Sequence, residues 1–389
     1  MSDGLEDVVA AHTVLSEVDG AAGRLVMRGH SLDELAGHTS FEEMAALMLD
    51  GFVPDLPAMK DLPAALGAAR QELFETVVQK AVVPVTLGPV EMIRAMTALV
   101  PDGEDVGTVL RLLAAPAVFT AASLRLRQGL APVAPYPSLS QAADTLRMLT
   151  GKAPTRQQAA ALDTYLVTVA DHGLNASTFA SRVVASTRAG LVSAVLAGIG
   201  ALKGPLHGGA PGPVIEMLDA IGAPDNARAW LETALDRGDR LMGFGHRIYR
   251  VRDPRADALK GAIRRLGADS GRLALAEAVE QAALAILRER KPNRTLETNV
   301  EFYTALLLEA LGFTPDSFTC VFALGRTTGW LAHAKEQIAG GRLIRPHPAL
   351  AAHNRRHRRA MTGEPEADGQ RQQNSEGSLH GDVLCSLCQ

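Results

Sequence analysis

The 389-residue chain is 47% hydrophobic and 21% charged, an ordinary balance for a folded protein with ample material for a core. Its net charge of −4 gives no global positive field, which argues against nucleic acid or an anionic membrane as the main partner. Three cysteines are too few for a disulfide framework, and aromatics at 4% point to close-packed helices rich in alanine and leucine.

This length accommodates about two or three domains. The first thirty residues carry no basic start and no apolar h-region, so no secretory signal is expected and the cytoplasm is the default. Residues 13–29 read as two short strands around a glycine-bearing turn. Ser40 followed by Glu43 fits a capping box that opens a helix at Phe41. Between 62 and 150, apolar periodicity predicts several helices broken at Pro84, Pro89, Pro101, Pro116 and the 132–137 loop. Leu162, Tyr165, Leu166 and Val169 mark an amphipathic helix over 155–170, which ends at Asp171-His172-Gly173. A second helix is expected from about Ser177 to Leu202. Its apolar run 189–202 is too short to span a bilayer and should be buried.

That helix delivers the chain to Gly204-Pro205-Leu206-His207-Gly208-Gly209. Segments 214–221, 226–237, 256–266 and 273–290 read as helices, with Gly238 and Pro292 as stops. A further helix starts at Thr298 and stops at Gly312, and 314–337 carries Arg326. Residues 355–389 are polar and aperiodic, the composition of a disordered tail. Cys385 and Cys388 belong to that tail.

The chemistry concentrates in 204–255. His207 and His246 both sit beside glycines, which remove Cβ bulk and admit positive φ, so a ligand can reach backbone and imidazole together. With His172, three histidines in glycine-bearing turns point to a shared pocket, against the alternative of three separately satisfied side chains. Their spacing contains no local chelate such as His-Glu-x-x-His, so no metal is expected. Arg250, Arg255, Arg326 and Arg345 offer planar forks for carboxylates; the alternative is a surface role, or for Arg255 a local pair with Asp253. Glu301 has two readings. It closes a Thr298-x-x-Glu301 capping box, or it is a general base that the helix dipole keeps ionised. Gly243-x-Gly245 lacks the third glycine and preceding strand of a dinucleotide fingerprint, and no phosphate-loop motif occurs.

Taken in order, Ala170-Asp171-His172-Gly173-Leu174-Asn175-Ala176-Ser177-Thr178-Phe179, Lys203-Gly204-Pro205-Leu206-His207-Gly208-Gly209, Gly243-Phe244-Gly245-His246-Arg247, Asp253-Pro254-Arg255, Asn299-Val300-Glu301-Phe302-Tyr303, Gly329-Trp330-Leu331-Ala332-His333 and Arg342-Leu343-Ile344-Arg345-Pro346 resemble the citrate synthase family over nearly all of residues 5–350. The resemblance implies an all-α, two-domain, multi-helical fold with a short N-terminal β-hairpin. The large domain would be 1–208 with 312–353, the small domain 209–311, and 354–389 a tail. It also implies a homodimer that condenses an acyl-CoA with oxaloacetate and hydrolyses the thioester, using CoA as co-substrate and no cofactor. Carried over by position, His207 binds the thioester oxygen, His246 protonates the ketone, and the residue at 301 takes the α-proton. His172, Arg255 and Arg326 hold oxaloacetate, and Arg345 reaches the partner's site. Arg250 and the loop of Leu241, Met242, Gly243, Phe244 and Gly245 face CoA. Glu301 departs from the family's usual aspartate, Pro211-Gly212-Pro213 replaces a segment that often starts with asparagine, and His347 stands where arginine is common. The alternatives are a 2-methylcitrate synthase acting on propionyl-CoA and a non-catalytic binder of CoA or dicarboxylate.

Overall fold

Asp19 accepts the backbone N–H groups of Ala21 and Ala22 through one carboxylate oxygen, which tightens the turn between β1 (Ser16–Asp19) and β2 (Arg24–Met27). The two strands pair antiparallel with Ser16 opposite Met27, and a third short strand, β3 (His30–Ser31), extends the expected hairpin. The structure, a computed structural model, describes residues 8–208, 212–246, 248–267 and 270–345. The chain divides into two units, Met1–Ile344 and Arg345–Gln389. Of the second, only Arg345 is described; His347 and the tail expected beyond His353 lie outside the described residues.

Two capping boxes, Ser31 with Glu34 and Ser40 with Glu43, start α1 (Leu32–Leu35) and α2 (Phe41–Leu49), the second as expected. Then follow α3 (Leu62–Leu73), a π-turn at Phe74–Val78, α4 (Pro89–Thr97), α5 (Val106–Arg127) and α6 (Gln141–Thr150). The break expected at Pro116 does not occur, because Pro116 sits buried inside α5. Packing of α5 against α3, α4 and α6 outweighs the missing N–H and the ring clash. By length and hydropathy alone α5 could cross a membrane, yet most of its surface is buried within the fold.

The helix expected over 155–170 is α7 (Arg156–Thr168). The single helix expected from 177 to 202 is instead two, α8 (Ala176–Ser186) and α9 (Leu191–Leu202). Between them Arg188 and Gly190 adopt positive φ. The carboxylate of Asp102 then caps α9 by accepting from the N–H groups of Val192 and Ser193. Periodicity could not reveal a cap supplied from so far along the chain. The remaining helices are α10 (Gly212–Ile221), α11 (Ala227–Asp236), α12 (Pro254–Leu266), α13 (Ser270–Arg290), α14 (Val300–Ala310) and α15 (Phe318–Gly340). Buried α15 packs against α5, α7, α8 and α9. A Cβ at Gly329 would lie 2.3 Å from the Ala170 carbonyl oxygen, so this glycine lets α15 press directly against the end of α7.

Candidate active site

The chain leaving α7 is gripped from both sides. Asp171, fully buried, accepts from the Ser16 hydroxyl of β1 and from His333 Nε2 of α15 at 3.1 Å. His333 Nδ1 faces the Arg182 guanidinium at 2.9 Å, so Nδ1 is the acceptor and Nε2 carries the proton toward Asp171. This anchors His172, whose Nε2 lies 3.2 Å from the Tyr249 hydroxyl and whose ring meets that of His246 edge-on at 5.7 Å. Burial, reinforced by Arg255 and Arg326, holds its pKa well below the ordinary histidine value, so His172 is neutral.

His207 is held by the start of α8. Asn175 caps that helix, accepting from the N–H groups of Ser177 and Thr178. His207 Nε2 lies 2.9 Å from the Ser177 hydroxyl and 3.2 Å from Asn175 Oδ1, and the buried Trp330 indole donates to the same hydroxyl at 3.1 Å. Burial first, then Arg326 and Arg255, bring the His207 pKa down to about 4.

The His246 loop is zipped to the segment before α14. Phe244 forms an antiparallel bridge with Thr298. Gly245 N donates to the Glu297 carbonyl at 2.7 Å, and the Asn299 side-chain amide donates to the Gly245 carbonyl at 2.8 Å. Gly243 and Gly245 both take positive φ, as their flanking positions suggested. His246 Nδ1 accepts two backbone N–H groups, from Ile248 at 3.0 Å and Tyr249 at 3.1 Å. A neutral imidazole so held carries its proton on Nε2, and Nε2 faces the Arg255 guanidinium at 3.3 Å. Two donors therefore converge on one spot that lacks an acceptor among the described residues. Burial and Arg255 lower the His246 pKa to about 4, with Asp253 opposing.

Asp253 fixes Arg255 through bonds at 3.0 and 2.8 Å, so the local pair weighed as an alternative exists. It does not consume the arginine, which still reaches His246. Asp253 also accepts the Val300 N–H at 3.1 Å, joining α12 to the start of α14. There the Thr298–Glu301 capping box is overturned: the N-cap is Asn299, whose side chain accepts the Glu301 N–H at 3.0 Å. Asn299 and Thr298 both suit a cap, and the Phe244 bridge engages Thr298 in extended backbone. Among the described residues the Glu301 carboxyl makes no hydrogen bond. Burial pushes its pKa up to about 7 against the pull of Arg255. Arg326, buried in α15, donates through Nε to the Val169 carbonyl at 2.6 Å and lies 4.9 Å over the Phe322 ring. Burial lowers its pKa to about 10. Phe322 also meets His207 edge-on at 6.1 Å, so helix α15 brings Arg326 and His207 to one wall.

Residues 4–347 match the family model for the citrate synthase C-terminal domain. This chain belongs to the citrate synthase family. It is 36% identical over 363 residues to the citrate synthase of Acidithiobacillus ferridurans, covering 88% of this chain and 93% of the relative. It is also 36% identical over 368 residues to the 2-methylcitrate synthase of Mycobacterium tuberculosis H37Rv, covering 91% of each. A solved ternary complex of carboxymethyl coenzyme A and oxaloacetate with citrate synthase from Thermoplasma acidophilum superposes with a TM-score of 0.77 at 27% identity, covering 90% of this chain and 95% of that one.

His246 meets the His172 ring edge-on and the Arg255 guanidinium through Nε2, while Arg326 acts on His172 and Glu301 on Arg255 through their charges. Leu241 and Phe244 are buried, and Leu241 and Met242 line a cavity of about 280 Å³ with Trp230, Arg237 and Arg240. Arg250 is exposed and bound through its backbone N–H to the Gly20 carbonyl. Arg345 is exposed and stands in the separate unit, and Arg247 lies outside the described residues. Sequence reasoning assigned no role to Tyr249, Ser177, Asn175 or His333. All four lie in or beside the matched segments, but their partners come from other helices, which no local spacing reveals. Among the described residues no group of three His, Cys, Asp or Glu could hold a metal.

Proposed function

We propose that this citrate synthase-family enzyme condenses acetyl-CoA with oxaloacetate and hydrolyses the resulting thioester to release CoA. One observation carries the reading: two buried guanidiniums, Arg255 and Arg326, surround three neutral imidazoles and a carboxyl poised near neutrality. The oxaloacetate dianion supplies the acceptor on which Arg255 and His246 Nε2 converge.

An acetyl α-proton is too weakly acidic for a carboxylate acting alone. Glu301 takes the proton, and the C–H electron pair moves into an enol whose oxygen is held by His207. The neutral His207 offers its ring N–H to that oxygen. One such donor is worth about 3 kcal/mol. The enol carbon then attacks the ketone of oxaloacetate, whose oxygen takes the Nε2 proton of His246. The two N–H groups on Nδ1 and the neighbouring Arg255 stabilise the charge left on that ring. Water finally cleaves the thioester. Coenzyme A is a co-substrate here, carried by Arg250 and the loop of residues 241–245.

The same reading includes closure of a small domain, 209–311, over a large domain, 1–208 with 312–353, which excludes water and limits premature thioester hydrolysis. It also includes a cytoplasmic homodimer in which Arg345 completes the partner's site. Equal identity to a 2-methylcitrate synthase keeps propionyl-CoA as the second substrate reading, since one methylene in a pocket is worth only about 1–3 kcal/mol. Oxaloacetate-dependent thiol release, assayed with both thioesters, tests the function. Release with acetyl-CoA at the higher kcat/KM supports the main reading, and preference for propionyl-CoA selects the second. Tight ligand binding with no thiol release leaves only a non-catalytic binder.

A further inference from the structure

The N-terminal hairpin touches both loops that carry the proposed oxaloacetate ligands. At one end of β1, the Ser16 hydroxyl binds Asp171 and accepts the Gly173 N–H at 3.1 Å, bracketing His172. A Cβ at Gly173 would lie 3.7 Å from the Val18 side chain, so the strand packs along this loop. Past the other end, the Gly20 carbonyl accepts the Arg250 N–H at 2.8 Å. A Cβ at Gly20 would fall 2.3 Å from the Ile248 carbonyl oxygen, and one at Gly23 would fall 2.6 Å from the Val251 side chain. The hairpin turn is thus seated against the backbone of residues 248–252. The consequence reaches the chemistry, because the N–H groups of Ile248 and Tyr249 are the two donors that orient His246. Ser16 and Asp19 bound β1, about 10 Å of extended strand, and Gly20 opens the turn directly after it, so one short strand and its turn span the two loops.

We propose that this hairpin is a positioning element of the active site, in which the missing side chain of Gly20 sets the Ile248–Tyr249 peptide and, through it, the aim of His246. The role rests on the proposed condensation reaction, which assigns His246 to the ketone. Gly20 does not take positive φ, and its turn is closed by Asp19, so an alanine there meets a collision and not an unfavourable backbone conformation. The collision is with backbone, which must move as a unit. A displacement of about 1 Å in a reacting group costs on the order of 100-fold in rate.

The test is steady-state kinetics on full-length Gly20→Ala and Ser16→Ala, with Arg24→Gln as control. Arg24 is an exposed residue of the same hairpin, paired among the described residues only with exposed Glu17 at 3.5 Å. Gly20→Ala should lower kcat roughly 10- to 100-fold while leaving KM for the thioester within about threefold and the thermal midpoint within a few degrees. Ser16→Ala should raise KM for oxaloacetate, and Arg24→Gln should match the wild type. Unchanged kcat in Gly20→Ala overturns the proposal, as does a loss of kcat matched by a collapse of the thermal midpoint, which marks a merely structural hairpin. A ¹⁵N-histidine spectrum separates this claim from the functional one. If the wild type does not turn over, a Gly20→Ala shift confined to His246 still supports the coupling, and an unmoved His246 resonance overturns it.

Discussion

Glu301 is a half-buried carboxyl at a helix start whose charge is withheld by desolvation, and this gives it two measurable signatures. Because it protonates below about 7, kcat/KM should rise with pH through about 7, falling roughly tenfold per unit on the acid side. His207 and His246 stay neutral down to about 4, so they add no limb in that range. A pH–rate profile with its acid limb near 4.5 contradicts the assignment. Glu301→Gln should lower kcat by about 10²–10⁴-fold with little change in KM for oxaloacetate. The second signature concerns stability. A folded-state pKa raised from 4.5 to about 7 stabilises the fold below the unfolded value, and this is lost as pH rises through the folded value. Above pH 7 the partly desolvated charge is a burden, so Glu301→Gln should be more stable than wild type at pH 8 by roughly 1–3 kcal/mol, read from denaturant midpoints. The histidines and arginines of this site were legible in the sequence because glycine neighbours and charge type announce them. The capping box was a plausible misreading, since Thr298 and Asn299 are both good caps and only the Phe244 bridge decides between them.

At the scale of elements, the site depends on how closely helices approach. Gly329 leaves no room between α15 and the Ala170 carbonyl, and Gly198 leaves none beneath the Trp330 indole, 2.7 Å from a hypothetical Cβ. Gly329→Ala should cost about 1–3 kcal/mol by overpacking, and should also raise KM for oxaloacetate because it presses on the Asp171–His172 segment. Urea unfolding and steady-state kinetics check both; an unperturbed KM with lowered stability would confine the effect to the core. Asn299→Ala removes the α14 cap and the bond to Gly245 together, with an expected loss of about 1 kcal/mol. Helices with a clear apolar stripe, α7 above all, were read correctly from periodicity. The break between α8 and α9 and the continuity of α5 through Pro116 were not, because a remote aspartate supplies the one and surrounding helices the other. Both corrections involve tertiary contacts overriding local preference.

For the whole molecule, matched segments spread from 170 to 346 stand in one order along the chain, and that order made the family readable before any contact was known. Truncation after His353 should leave turnover unchanged, and a loss of kcat would assign the polar tail a role its composition does not suggest. The central claim is that Glu301 and His207 together enolise a bound thioester. It is tested most directly by solvent-deuterium incorporation into the methyl group of acetyl-CoA, in the presence of a dicarboxylate that fills the oxaloacetate site and has no ketone to attack. The wild type should exchange the methyl protons, and Glu301→Gln and His207→Ala should each reduce exchange by at least about 100-fold. Undiminished exchange in either variant would contradict the account.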